Sequence, residues 1–301
     1  MQALPPFRLD LTASALRRRP DNAVDLWDGR TYRRALPLEG GTIELAAVQA
    51  GSAAAPRLTV TLTGAQQQSE GAARAALGRL LGLELDLLPF YRHAEGDPLL
   101  RTLAGRFRGL KPPRFPTLFE CLVNAIACQQ LTLTVGIRLL NRLAEAHGTA
   151  TDEGTSRAFP LPAELAELAP GALKPLGFSG AKARSIVELA AEITAGTFDP
   201  IAIESLDDTD ALAALLRLRG VGRWTAEYAL LRGLGRLHVF PGDDVGARNN
   251  LARWLDRHEP LDYAGVQAAV RPWHPFAGLV YFHLLLANLA DHGMLTEGSG
   301  V

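Results

Sequence analysis

The spacing of apolar residues changes once along this chain and does not change back. The stretch "RLTVTLTG", Arg57 to Gly64, sets Leu58, Val60 and Leu62 against Thr59, Thr61 and Thr63, the period of two that a half-buried strand requires. "TIELAAVQ", Thr42 to Gln49, is the expected antiparallel partner, joined to it through "AGSAAAP". After Gln66, apolar side chains recur at three and four residues, beginning in "SEGAARAALGRLLGLELDLLPFY", as on a helix with one buried face. One early block of alternation followed by helices cannot supply the strand–helix alternation of a doubly wound sheet. The expected fold is therefore α+β, mostly α: a small N-terminal antiparallel sheet domain over residues 1–95, then a helical region over 96–301.

Within that second region, helices are expected at Thr117–Ala146, Leu161–Leu168, Ala181–Thr194, Asp207–Leu218, Trp224–Arg232, Asp244–Asp256 and Phe276–Ala290. The last run is 15 residues with His283 inside it, which suits a buried core helix better than a membrane span. No signal-like apolar stretch follows the N-terminus, so a cytoplasmic, nucleoid-associated location is expected. Cys121 and Cys128 are the only cysteines, seven apart in an apolar pattern, and read as buried thiols. Two thiols exclude a disulfide framework and an iron–sulfur cluster held by four thiolates.

Net charge is −1, so a nucleic-acid footprint has to be local. It is local. Between Ala211 and Leu255 stand Arg217, Arg219, Arg223, Arg232, Arg236, Arg248 and Arg253 against only Glu227, Asp243 and Asp244. Inside this segment "RGVG" interrupts two helical patterns over about 207–233, and its paired glycines allow a tight turn that exposes backbone amides to a phosphate. A second basic patch holds Arg101, Arg106, Arg108, Lys111 and Arg114, and reads equally well as a solvated connector. Downstream, "FPGDD" places Asp243 and Asp244 at the start of the 240–255 segment, where the helix dipole favours ionised carboxylates. One of the two can cap the helix while the other faces a substrate.

"LRGVGRWTAEYALL" followed by "FPGDD" resembles the helix–hairpin–helix and Gly/Pro-Asp signature of a DNA glycosylase superfamily, in particular its AlkA-type 3-methyladenine DNA glycosylases II. "FPTLFECLVNAIACQQLT", "LKPLGFSGAKARSIVELA", "RPWHPFAGLVYFHLLL" and "GRTYRRAL" are similar to further stretches of that family, and the likeness spans roughly residues 5–292. The resemblance implies base excision repair of double-stranded DNA containing damaged bases by a monomer, with no required cofactor. It assigns catalysis to Asp244 and a structural role to Asp243. It places Trp224, Tyr228 and Trp273 around the flipped base, and Trp224 and Tyr228, four apart, share a helix face. It puts Arg219, Gly220, Val221, Gly222, Arg223 and Thr225 at the DNA, with Gln130 as the inserted wedge beside Leu131. It also implies a Na+ or K+ ion on the backbone carbonyls of Leu216, Leu218 and Val221.

The chemistry fits a single carboxylate. Breaking an N-glycosidic bond builds positive charge at C1′, which a fixed carboxylate stabilises, and an alkylated purine that already carries charge leaves without an acid. Relatives that also cut the strand carry a lysine just after the hairpin, where this chain has Trp224, and no lysine follows Lys182. The expected product is an abasic site. Two features depart from the family pattern: His274-Pro275 after Trp273, and Glu227, which is expected on a solvated face. Two other readings are a non-catalytic helix–hairpin–helix DNA-binding protein and a metal-dependent hydrolase, for which His238 is the nearest candidate ligand.

Overall fold

The structure, a computed structural model, describes residues 1–38, 41–64, 69–151 and 156–295. Gln66, where the change of period is expected, lies outside them. Four strands, β1 (Leu26–Trp27), β2 (Thr31–Leu38), β3 (Gly41–Ala50) and β4 (Arg57–Thr63), form one antiparallel sheet in chain order. Ala46 of β3 faces Thr61 of β4, the pairing expected from their alternation, and "GRTYRRAL" supplies β2. Helix α1 (Leu9–Arg17) and α2 (Glu70–Leu81) cover the sheet, and Phe7, Leu9, Leu16, Tyr32, Leu45 and Leu80 bury between them.

The helical region has two cores. Helices α5 (Leu118–Cys128), α6 (Leu133–His147), α8 (Gly180–Thr194), α10 (Asp208–Leu216) and α11 (Arg223–Tyr228) enclose one, with the short α7 (Pro162–Ala166) and α9 (Pro200–Glu204) at its edge. Helices α3 (Leu88–Glu95) and α4 (Pro98–Arg106) bury instead against α12 (Val245–Trp254), α13 (Tyr263–Val270) and α14 (Ala277–Asp291). Leu87, Phe90, Tyr91 and Ala94, which pattern alone groups with the sheet, thus have their side chains in the core of the C-terminal helices. Helix α1 contributes to both neighbours, with Leu9 and Leu16 toward the sheet and Leu11 and Ala15 toward the C-terminal helices.

Two helical segments differ from expectation. The stretch Thr117–Ala146 is broken at residues 129–132, because Thr132 caps a new helix by accepting the Val135 amide, as Thr117 caps α5 through Glu120. Gln130 takes φ 55° in the break. The segment after Trp224 is α-helical only to Tyr228 and widens to a π-turn over Ala229–Gly233, closed by the Leu234 amide on the Ala229 carbonyl at 2.9 Å. No helix among the described residues is long and apolar enough to cross a membrane.

His283 sits in the middle of α14, fully buried beside the rings of Phe90 and Phe107. Its Nδ1–H donates to the Leu279 carbonyl at 2.7 Å, while Nε2 has no hydrogen-bond partner among the described residues. Burial pushes its pKa down from 6.5 to about 4. The folded protein then refuses a proton that the unfolded chain accepts, so falling pH favours unfolding across that window and has no such effect above it. The expected loss is about 3 kcal/mol between the two pH values. Urea unfolding of wild type and His283→Leu at pH 7 and pH 4.5 should show a smaller pH difference in the variant; equal differences would exclude a neutral buried His283.

Candidate active site

The two glycines of the hairpin do different work. Gly220 has φ 76°, and a Cβ there would lie 2.4 Å from Ser185 Oγ of α8, so the turn packs too closely for any side chain. Gly222, at the N-terminus of α11, opens onto free space. Arg219, Gly220, Gly222 and Arg223 are exposed at the tip, as are Gln130 and Leu131 in the α5–α6 loop. Val221 and Thr225, expected at the DNA, are buried instead. Val221 packs into the core, and Thr225 Oγ1 accepts from Gln129 Nε2 at 2.9 Å. Gln129 also donates to the Gly220 carbonyl at 2.7 Å, which ties the two exposed loops together. Lys182 completes the junction by donating to the Ala127 and Gln129 carbonyls at the end of α5.

The loop carrying the aspartates is held from behind by Glu227. This residue is 8% exposed, which corrects the expectation of a solvated face. Its carboxylate accepts the Gly242 amide at 3.1 Å and the Tyr263 hydroxyl at 2.6 Å. Burial pushes its pKa up against these donors. Sequence pattern misses it because α11 is open only at its start, and Thr225 to Tyr228 are all buried. Gly242 must be glycine, since a Cβ would come within 2.7 Å of the Tyr263 ring.

Asp243 and Asp244 then divide as neither residue type nor spacing dictates. Asp243 accepts from Arg223 Nε at 2.6 Å, and the Arg223 guanidinium lies 3.8 Å over the Tyr263 ring. Asp244, not Asp243, takes the cap, and it keeps a second oxygen for other partners. Its Oδ1 caps α12 by accepting the Ala247 amide at 2.9 Å, and its Oδ2 accepts from Trp224 Nε1 at 3.3 Å and the Tyr281 hydroxyl at 3.2 Å. Burial pushes the phenols of Tyr228 and Tyr281 up, so both remain neutral and able to donate.

Asp244 borders a cavity of about 390 Å³ lined also by Trp224, Tyr228, Tyr281, Cys128 and Arg18, a size suited to a small-molecule pocket. The rings of Trp224 and Tyr228 meet at 5.7 Å, as their i, i+4 spacing implies. Trp273, expected here, is not among the lining residues. It packs against Trp254 at 5.1 Å and donates from Nε1 to Asp97, the N-cap of α4, at 2.9 Å. Tyr281, one helical stretch later, supplies the aromatic that α14 presents to the cavity. His274 contacts His238 rather than the cavity. Arg18, Arg232 and Tyr281 are lining residues that sequence reasoning misses: two come from basic or apolar runs, and the first lies more than 200 positions from Tyr228.

A metal-based site finds no support in these positions. His238 pairs with Asp208, away from Asp243 and Asp244, and no group of three or more His, Cys, Asp or Glu among the described residues could hold a metal. Cys121 and Cys128 are free thiols. Leu216 ends α10, and Leu218 and Val221 stand in the turn that follows, where the Leu218 carbonyl accepts the Val221 amide at 3.2 Å.

Residues 123–275 match the HhH-GPD superfamily of base excision DNA repair proteins. A DNA-3-methyladenine glycosylase of Bacillus subtilis is 31% identical over 67% of this chain and 67% of its own length. The solved 3-methyladenine DNA-glycosylase of Archaeoglobus fulgidus superposes with a TM-score of 0.84 at 25% identity, covering 96% of this chain and 97% of that one. A Schizosaccharomyces pombe 3-methyladenine DNA glycosylase, solved with abasic DNA, covers 67% of this chain and 98% of its own at 25% identity, with a TM-score of 0.59.

The buried Glu227 network has a measurable consequence. Replacing Glu227 with Ala leaves the Gly242 amide and the Tyr263 hydroxyl without an acceptor, and is expected to cost about 1–3 kcal/mol in urea unfolding. A solvated glutamate would change stability by less than about 0.5 kcal/mol.

Proposed function

Because the chain belongs to the HhH-GPD superfamily of base excision DNA repair proteins, and within it to the DNA-3-methyladenine glycosylase family, we propose that it is a monofunctional glycosylase that removes alkylated purines from duplex DNA. The observation that carries this reading is the geometry at Asp244: one oxygen locked by the helix, the other turned to an aromatic cavity and held by two neutral donors. The damaged base rotates out of the stack and enters between Trp224, Tyr228 and Tyr281. Gln130, exposed at the tip of its loop in a left-handed conformation, fills the gap with Leu131 beside it. Arg219, Arg223 and the hairpin amides hold the phosphates, and the Leu216, Leu218 and Val221 carbonyls would hold a monovalent cation that stiffens the turn.

As the bond from C1′ to the base nitrogen breaks, its electron pair leaves with the base and positive charge develops at C1′. Asp244 stabilises that charge. Water adds at C1′, its proton passing to the Asp244 carboxylate, and an abasic site remains. The same carboxylate serves both phases because Trp224 and Tyr281 donate to Oδ2 without neutralising it. A strand-cutting route needs a free amine at C1′. Trp224 stands at the family's lysine position, and the amine of Lys182 is committed to two carbonyls.

Asp244→Asn separates the chemistry from the fold, since Asn caps helices as well as Asp does. Base release from methylated duplex DNA is expected to fall by about a hundredfold or more, with duplex binding and melting temperature retained. Wild-type product strands should break only after alkali. Retained turnover in the variant would remove Asp244 from the mechanism, and breaks without alkali would make the enzyme bifunctional.

A further inference from the structure

Arg223 is the exposed member of a closed ring of contacts behind Asp244. Its Nε donates to Asp243 at 2.6 Å, and its guanidinium lies 3.8 Å over the Tyr263 ring. The Tyr263 hydroxyl donates to Glu227, and Glu227 accepts the amide of Gly242, the residue before Asp243. The ring therefore closes around Gly242 and Asp243, the two residues that lead into Asp244. Glu227 and Gly242 are buried, and Asp243 and Tyr263 are half-buried. The Arg223 side chain is 52% exposed.

An ordinary exposed ion pair adds little to stability and leaves both side chains free to turn. Arg223 is held on two sides, by a carboxylate at its edge and an aromatic ring against its face, so the plane of its guanidinium is fixed. Only Nε is engaged. Neither Nη group has an acceptor among the described residues, and Arg223 is the first residue of α11, at the exposed tip of the hairpin. A guanidinium so placed can take a phosphate oxygen on its Nη groups while Nε keeps Asp243. Arg219, the other exposed arginine of the hairpin, spends its Nε on Glu188 of α8 instead.

Building on the glycosylase reading above, we propose that Arg223 is a positioning residue that couples the hold on a DNA phosphate to the placement of Asp244. A phosphate on the Nη groups fixes the guanidinium from its remaining side. The Nε bond passes that constraint to Asp243, whose neighbour supplies the carboxylate at C1′. The effect falls on the chemical step, because displacing a catalytic group by about 1 Å can cost about a hundredfold in rate.

Two quantities separate this role from a plain phosphate contact: duplex affinity, read by fluorescence anisotropy, and the single-turnover rate of base release from methylated duplex DNA with the enzyme saturating. Arg223→Ala is expected to lose both, the rate by about tenfold. Asp243→Ala leaves the charge and fork of Arg223 in place, so the rate should fall by a similar factor while affinity is retained. Combining the two substitutions should lower the rate no further than either alone, since both break the same connection. Arg223→Lys keeps the charge without the planar fork, and should retain most of the affinity but not the rate. An Arg223→Ala rate equal to wild type at saturation, or losses that multiply in the double variant, would overturn the coupling and leave Arg223 as a phosphate contact alone. Release of no base by the wild-type protein would overturn the glycosylase reading itself.

Discussion

Arg34 of β2 is 1% exposed, and its guanidinium is shared between Asp25 at 2.6 Å and Glu120, in the first turn of α5, at 2.5 Å. Tyr32 donates to the same Asp25 carboxylate at 2.7 Å. A buried charge of this kind is tolerable only with all of its partners in place, so the triad fixes the sheet against α5 rather than merely near it. The consequence runs along the helix. The far end of α5 carries Gln129, which binds the hairpin carbonyl of Gly220, and Lys182 clamps the same end from α8. The orientation of the sheet domain is thereby coupled to the position of the loop that faces DNA in the proposed reading.

Buried arginines recur wherever the cores meet. Arg232, in the π-turn, donates to the Ala15 carbonyl of α1 and lies within 5.6 Å of the ring centroids of Phe115, Tyr228 and Phe282. Arg18 joins α1 to α5 and α11 through Asn124 and Tyr228. Helix α1 is thus a spacer between cores, and the residues just past its end, Arg18 and Arg19, line the cavity. The widened turn after Tyr228 suits this arrangement, since it follows directly on the helix that carries Trp224 and Tyr228 to the cavity. The long planar head of arginine, with donors on three nitrogens, can satisfy backbone, carboxylate and ring partners from different elements in one place.

In the proposed reading Asp244 is at once structural and reactive. A carboxylate has two oxygens, and the backbone at a helix N-terminus takes one of them. The other is left at a fixed angle, with no rotamer freedom to lose when a substrate arrives. Asp243, Arg223, Tyr263, Glu227 and Gly242 form the layer behind it. That layer holds the loop without touching the cavity.

Much of this was legible in local pattern. The alternation of β3 and β4, the i, i+4 pairing of Trp224 with Tyr228, the glycine turn and the capping aspartate each depend on neighbours within a few residues, and backbone geometry makes such relations readable from spacing. The break at residues 129–132 was obscured because apolar residues continue through it and only Thr132 marks the new start. Other features depended on which elements face one another. Glu227 is buried because α13 and the aspartate loop close over α11; Trp273 leaves the cavity for Trp254 and Asp97, and Tyr281 takes its place on α14; Arg18 reaches Tyr228 across 210 positions. The sequence by itself determined the elements, the turn and the residue that carries the carboxylate. Tertiary packing alone decided which side chains surround that carboxylate, because burial and donor geometry are properties of opposed surfaces and no spacing along one chain encodes them.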